Sequence, residues 1–222
     1  MEENLSERQQ IEQVQGWVRE NAPWAVAGIL IGVGALVGWQ QWQAWQERRS
    51  VAAVEKYNAT LAALGRSDVA AANALVLELR AGYARTPYAD MAALAVARAD
   101  VERGKLPEAA SYLEQVARDS RDPDLQVVAR LRLARVQRAQ GKTEEALATL
   151  TAGPAAESPA YADVRGDLLA DKGDAKGAIA AWRVALTATG QQAAGRELIE
   201  LKIAAAGGDT AQAAPAAAGA AK

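Results

Sequence analysis

The chain has 222 residues, 25 basic against 27 acidic side chains, and no Cys, His or Phe. Lacking Cys, it has no disulfide framework or thiolate metal site, and lacking His as well it excludes most nucleophilic triads and zinc sites. With the two arginines and five glutamates of residues 1–46 set aside, residues 47–222 hold 23 basic and 22 acidic side chains, a balance that gives nucleic acid no electrostatic footprint.

Residues 1–20 read as a short interfacial helix or a frayed, solvated tail. Ser6 with Gln9 fits a capping box, and Ile11, Val14 and Val18 recur at helical spacing beside Trp17. The uncharged run from Asn21 to Gln46 follows, with its apolar heart PWAVAGILIGVGALVGW from Pro23 to Trp39. A helix rises about 1.5 Å per residue, so roughly 20 residues match a bilayer core of about 30 Å. Five of the six tryptophans border this run: Trp17 and Trp24 before it, Trp39, Trp42 and Trp45 at and after its end. Indole prefers the headgroup level, where the ring is shielded and its N–H stays wet. The reading is a transmembrane helix over residues 21–46, with membrane lipid around it. A cleaved signal peptide fits poorly, because a basic n-region and a small-residue cleavage site are both missing. Gly28/Gly32 and Gly34/Gly38 are spaced as GxxxG, a pattern that lets helices approach in lipid and that Gly-rich spans also carry by chance.

Past the span the helix is expected to run to Leu64 and to break at Gly65-Arg66-Ser67, with Ser67 capping the next helix from Asp68 to about Ala84. From there the chain repeats. Thr86-Pro87, Asp122-Pro123 and Ser158-Pro159 lie 36 residues apart, each pairing an N-cap residue with a proline at the first helical position. Between these starts Gly104, Gly141 and Gly173 precede Ala109, Ala146 and Ala178 by five residues, and Gly65 with Ala70 repeats the spacing less clearly. A period in the mid-thirties of helix, Gly turn, helix and Pro is the tetratricopeptide pattern, against the blander alternative of an antiparallel bundle. The small Ala lets one helix approach its partner, and Leu113, Leu150 and Trp182, four residues on, fill the groove between them. Gly166, Ala178, Trp182, Ala185 and Leu186 give the last repeat the fullest match. A further helix from Ala193 to about Ala206, carrying Leu198, Ile199 and Leu201, is expected to cap the stack. Residues 207–222 have almost nothing to bury and read as disordered. The fold class is therefore all-α: a 1–20 tail, a 21–46 span, a 47–206 tetratricopeptide-like helical solenoid and a 207–222 tail.

Little here is equipped for chemistry. Asp163, Asp167 and Asp171 fall at i, i+4 and i+8 on one helix, but paired carboxylates need a pocket or further ligands to do acid–base or metal work. A solvated helix face is the plainer account, and no catalytic, cofactor-binding or metal-ligating residues are assigned. In the repeat register Arg98, Arg135 and Arg138 on one side, and Asp163 and Asp167 on the other, fall on the concave surface. A groove basic at one end and acidic at the other suits extended polypeptide, so the chain reads as a binding scaffold and not an enzyme.

The short acidic N-terminus, the span ending GVGALVGW, the run LRLARVQ (Leu131 to Gln137) and DVRGDLLADKGDAKGAIAAW (Asp163 to Trp182) together resemble one bacterial family, the ancillary Sec-translocon subunits of the YfgM type. The resemblance reaches to about Ala206. It implies a cytoplasmic N-terminus, one inner-membrane helix and a periplasmic tetratricopeptide-like domain. It also implies association with the Sec translocon and with a membrane-anchored periplasmic chaperone of the prolyl-isomerase type. The flanking charges lean the other way. Arg8 and Arg19 precede the span, while Arg48, Arg49, Lys56 and Arg66 follow it, which by positive-inside counting puts the C-terminal domain in the cytoplasm. That rule weakens for long translocated domains, and the expectation follows the resemblance. An envelope-assembly or cell-division coordinator and a cytoplasm-facing regulatory adaptor are the competing functions.

Overall fold

The structure, a computed structural model, describes residues 7–152, 158–188 and 193–209; within its helices the side chains of 7–16, 18–23, 25, 159, 160, 188, 193 and 194 lie outside the described residues. Ser6 of the expected capping box and residues 210–222 of the expected tail lie outside them as well. The described residues form helices joined by tight turns, in two units, 1–52 and 53–222.

Helix α1 runs from Glu7 to Gly65 through Pro23, so the N-terminal segment and the expected span belong to one helix. Every described large apolar side chain from Val26 to Trp45 is exposed, including Ile31, Leu36, Trp39 and Trp42. Trp39 and Trp42 stand one turn apart with ring centroids 5.4 Å from each other, and the Arg49 guanidinium lies 5.0 Å from the centroid of Trp45. A Cβ at Gly28, Gly32, Gly34 or Gly38 would meet no atom within 4 Å. Among the described residues no helix is long and apolar enough to cross a membrane.

The second unit is a stack of antiparallel helices. The end of α1 from Ala53 shares a buried core with α2 (Val69–Tyr83). Three pairs follow: α3 (Pro87–Glu102) with α4 (Leu106–Asp119), α5 (Pro123–Ala139) with α6 (Thr143–Thr151), and α7 (Pro159–Asp171) with α8 (Ala175–Ala188). Helix α9 (Ala193–Ala205) packs on α8. Helices α3, α5 and α7 touch in succession and so line one face. Each begins at its proline, and the first two of the expected caps differ. Asp122 accepts from the amides of Asp124 (2.9 Å) and Leu125 (3.4 Å), whereas the Thr86 hydroxyl turns back and donates to the carbonyl of Tyr83 (2.8 Å).

The turns explain the repeat. At the end of α3 the amide of Lys105 donates to the carbonyl of Asp100, five residues back, and that of Gly104 to Val101. This pair of bonds closes the helix only if the residue between helix and turn takes positive φ, and Gly104 sits at φ +73°. Gly141 and Gly173 repeat the arrangement at +76° and +81°. The turn after α1 repeats it too, but the residue there is Ser67, at φ +60°, and not Gly65. Ser67 does not cap α2 either; Asp68 does, accepting from the amide of Ala71 at 3.0 Å. The first repeat is therefore framed by Ser67 and Ala72, two residues later than the Gly65/Ala70 spacing. Ala72, Ala109, Ala146 and Ala178 are all fully buried, and Val76, Leu113, Leu150 and Trp182, four residues on, are all in the core, while Ala70 is exposed.

Trp182 reaches across to α7, where a Cβ on Gly166 would come within 2.8 Å of its Cε2 and closer still to Cδ1 and Nε1. Glycine is required there for room and not for backbone freedom. Helix α9 caps the stack as expected, but through a different face. Ile199 and Ile203 are buried against Trp182, Ala185 and Leu186, and Leu198 and Leu201 point outward.

Candidate functional site

The five residues expected in a groove divide into two groups. Arg138, near the end of α5, forks onto α7: its Nε and Nη2 donate to the two carboxylate oxygens of Asp171 (2.9 Å for Nη2), and its Nη1 donates to Asp167 at 3.1 Å. On its other oxygen Asp167 accepts the Trp182 indole N–H at 3.1 Å and the Lys202 ammonium at 2.7 Å. Lys202 also reaches Asp163 at 2.7 Å and lies 5.9 Å from the centroid of Trp182. One carboxylate on α7 thus gathers donors from α5, α8 and α9. Of the basic residues expected in the groove Arg138 is joined to the acidic ones, and Asp163, Asp167 and Asp171 are all paired with cations.

The charges respond accordingly. The fork from Arg138 holds the Asp171 carboxyl below its ordinary range and pushes the Arg138 guanidinium up. Burial works to lower Lys202, but its hydrogen bonds to Asp163 and Asp167 outweigh this and raise it. The cluster borders a recess of about 520 Å³, with Ala170, Ala205 and Ala206 along its wall.

Arg98 and Arg135 lie elsewhere, over a second recess of about 310 Å³ between α3, α4 and α5. Its floor is apolar, made by Ala97, Val101, Leu113 and Val136, and its rim carries Arg98, Arg132 and Arg135. All three guanidiniums are exposed. Arg98 has an intrahelical partner, Glu102, at 2.8 Å across one turn. Arg132 and Arg135 have none among the described residues. Arg130, two positions before Arg132, faces away and donates to the Ala117 carbonyl at 3.0 Å. Among the described residues no group of acidic side chains is disposed to hold a metal ion.

This stack of phased helix pairs has relatives. The family described as a tetratricopeptide repeat-like domain matches residues 15–208. The ancillary SecYEG translocon subunit of Escherichia coli K12 is 33% identical over 206 residues, covering 91% of this chain and 98% of that one. The chain belongs to the family of ancillary SecYEG translocon subunits. The subunit of the same description from Haemophilus influenzae is 30% identical over 172 residues, 77% of this chain and 84% of that one. The one from Neisseria gonorrhoeae is 25% identical over 206 residues, 91% and 98% of the two chains. No solved structure matches. The family description and the relatives' names are those of a repeat domain and a translocon accessory subunit, and they point to a scaffold.

Sequence reasoning left Arg132 and Lys202 out of the groove. Arg132 was legible, since it precedes Arg135 by three and so shares its face of α5. Lys202 was not, because nothing in local spacing ties α9 to an aspartate on α7 39 residues away.

Proposed function

We propose that the chain is a membrane-tethered scaffold of the SecYEG translocon, linking it to a periplasmic chaperone that receives emerging polypeptide. In this reading residues 1–20 are cytoplasmic, residues 21–46 cross the inner membrane once, and residues 47–206 stand in the periplasm. The observation that carries the reading is the 33% identity, over nearly the full length of both chains, to the Escherichia coli subunit whose name assigns it to SecYEG. The span is supported by the ring of exposed apolar side chains from Val26 to Val37, since a helix apolar on all sides is stable only where water is excluded. A membrane-anchored chaperone of the prolyl-isomerase type is the partner that the family resemblance implies for the repeat domain.

The test is a pair of measurements on one substitution. Ile31→Arg places a charge near mid-bilayer at a cost of roughly 2.5–3.5 kcal/mol on insertion scales. It lowers carbonate-resistant membrane association and reduces SecYEG recovered with the chain from mild detergent. A wild-type chain released by carbonate, or a variant fully retained, sinks the span. The excess of cations after the span favours a second reading, a cytoplasm-facing adaptor; protection of the repeat domain from external protease in spheroplasts would establish that orientation and exclude the first.

A further inference from the structure

Three arginines ring an apolar floor at the joint of α3, α4 and α5, and nothing in the fold requires them there. Arg132 and Arg135 are exposed and have no hydrogen-bonded or ionic partner among the described residues. Arg98 is held by Glu102 alone, in a pair whose side chains are 77% and 60% exposed. Such a pair contributes little to folding, so Glu102 yields readily to a competing carboxylate. Val101 is also 40% exposed on the floor between these cations. This contrasts with the cluster around Asp167, where every cation is already matched to a carboxylate.

We propose that this recess binds an extended acidic segment of a partner polypeptide, with its carboxylates on Arg98, Arg132 and Arg135 and its aliphatic side chains on the floor. Charge complementarity selects the acid, since forked guanidiniums bind carboxylates in pairs of hydrogen bonds. The floor selects an aliphatic neighbour, which a bare anion does not offer. In an extended strand successive side chains point to opposite faces, so with Leu or Val turned down onto the floor the interleaved acidic residues point up, toward the guanidiniums of the rim. The inference rests on the scaffold reading and names the kind of segment that this face receives.

The experiment uses the full chain in detergent micelles and a fluorescein-labelled peptide alternating glutamate with leucine, read by fluorescence anisotropy. The wild type binds it, and binding weakens as salt rises through the range that screens exposed charges. Arg132→Gln with Arg135→Gln weakens it about tenfold or more, since each lost charged hydrogen bond contributes more than a neutral one. The same double variant melts as the wild type does, because neither side chain holds the fold together. Glutamine in place of the peptide's glutamates, or serine in place of its leucines, each reduces affinity. Equal binding by wild type and double variant overturns the proposal, as does a wild type that ignores the peptide. Displacement by a short oligothymidylate as effective as by unlabelled peptide also overturns it, by making the recess an unselective anion site. SecYEG recovery, measured on the same preparations, keeps the two readings apart. Its absence from the wild type defeats the translocon assignment whatever the peptide does, and its persistence in the double variant places the two contacts on different parts of the chain.

Discussion

Trp182 is the residue on which the end of the stack turns. Its ring fills the space that Gly166 leaves open on α7, its N–H is taken by Asp167, and Ile199 and Ile203 of α9 close over it. Truncation to Ala removes a buried aromatic and leaves the cavity uncollapsed, a loss of about 3–5 kcal/mol. Thermal unfolding of the Trp182→Ala protein by circular dichroism shows a fall of several degrees, at roughly 2–4 °C per kcal/mol for a chain of this size. A melt unchanged within about 2 °C would place the ring outside the core. The opposing change is steric. Gly166→Ala adds a methyl where the indole already lies, and the strain of about 1–3 kcal/mol exceeds the helix propensity gained.

At the scale of the element, the turn is the unit that repeats. Among the described residues five helix ends carry the same two backbone bonds, and the residue that makes them possible is Ser67 once and glycine four times, the last being Gly207 after α9. A left-handed conformation costs an L-residue about 1–2 kcal/mol, and glycine returns about 0.5–1 of this through its freer unfolded chain. Ser67→Gly is therefore stabilising by up to about 1.5 kcal/mol, seen as a higher urea midpoint with unchanged slope. A lower midpoint would mean that the serine side chain contributes something that glycine cannot. The α9 element teaches a related point. Its sequence offers Leu198, Ile199, Leu201 and Ile203, and only packing on α8 decides that the two isoleucines are inside.

At the scale of the molecule, the carboxylates of α7 connect the third repeat to the fourth and to the terminal helix. Protonation of Asp171 is felt across this joint. Asp171 has a folded value below its unfolded one, so the stability it contributes is present above the unfolded value near 3.9 and lost as pH falls through the folded value. Lys202 is raised, so its contribution is complete below the unfolded value near 10.4 and lost as pH rises through the folded one. The Arg138→Gln protein is less stable than the wild type by about 1 kcal/mol at neutral pH, and the difference shrinks below about pH 4. Denaturant midpoints measured on both proteins at pH 7 and pH 3 check this; a gap that persists undiminished at pH 3 would separate Arg138 from the carboxylates.

Most of the repeat array was legible in the sequence, because its determinants are local. Proline at a first helical position, glycine at positive φ and a small residue five positions on are each set by backbone geometry within one turn, so their phase at Thr86, Asp122 and Ser158 declared the helix pairs before any packing was seen. The first repeat escaped because serine is not a residue that announces positive φ. The apolar run of α1 was equally plain, being a matter of composition. What only the tertiary structure decided is which charges are spent. Arg135 and Arg138 are three residues apart and alike in sequence, yet one faces an open recess and the other is forked onto Asp167 and Asp171. That difference depends on where α7 and α9 pack, and such long-range pairings carry no local spacing from which to read them.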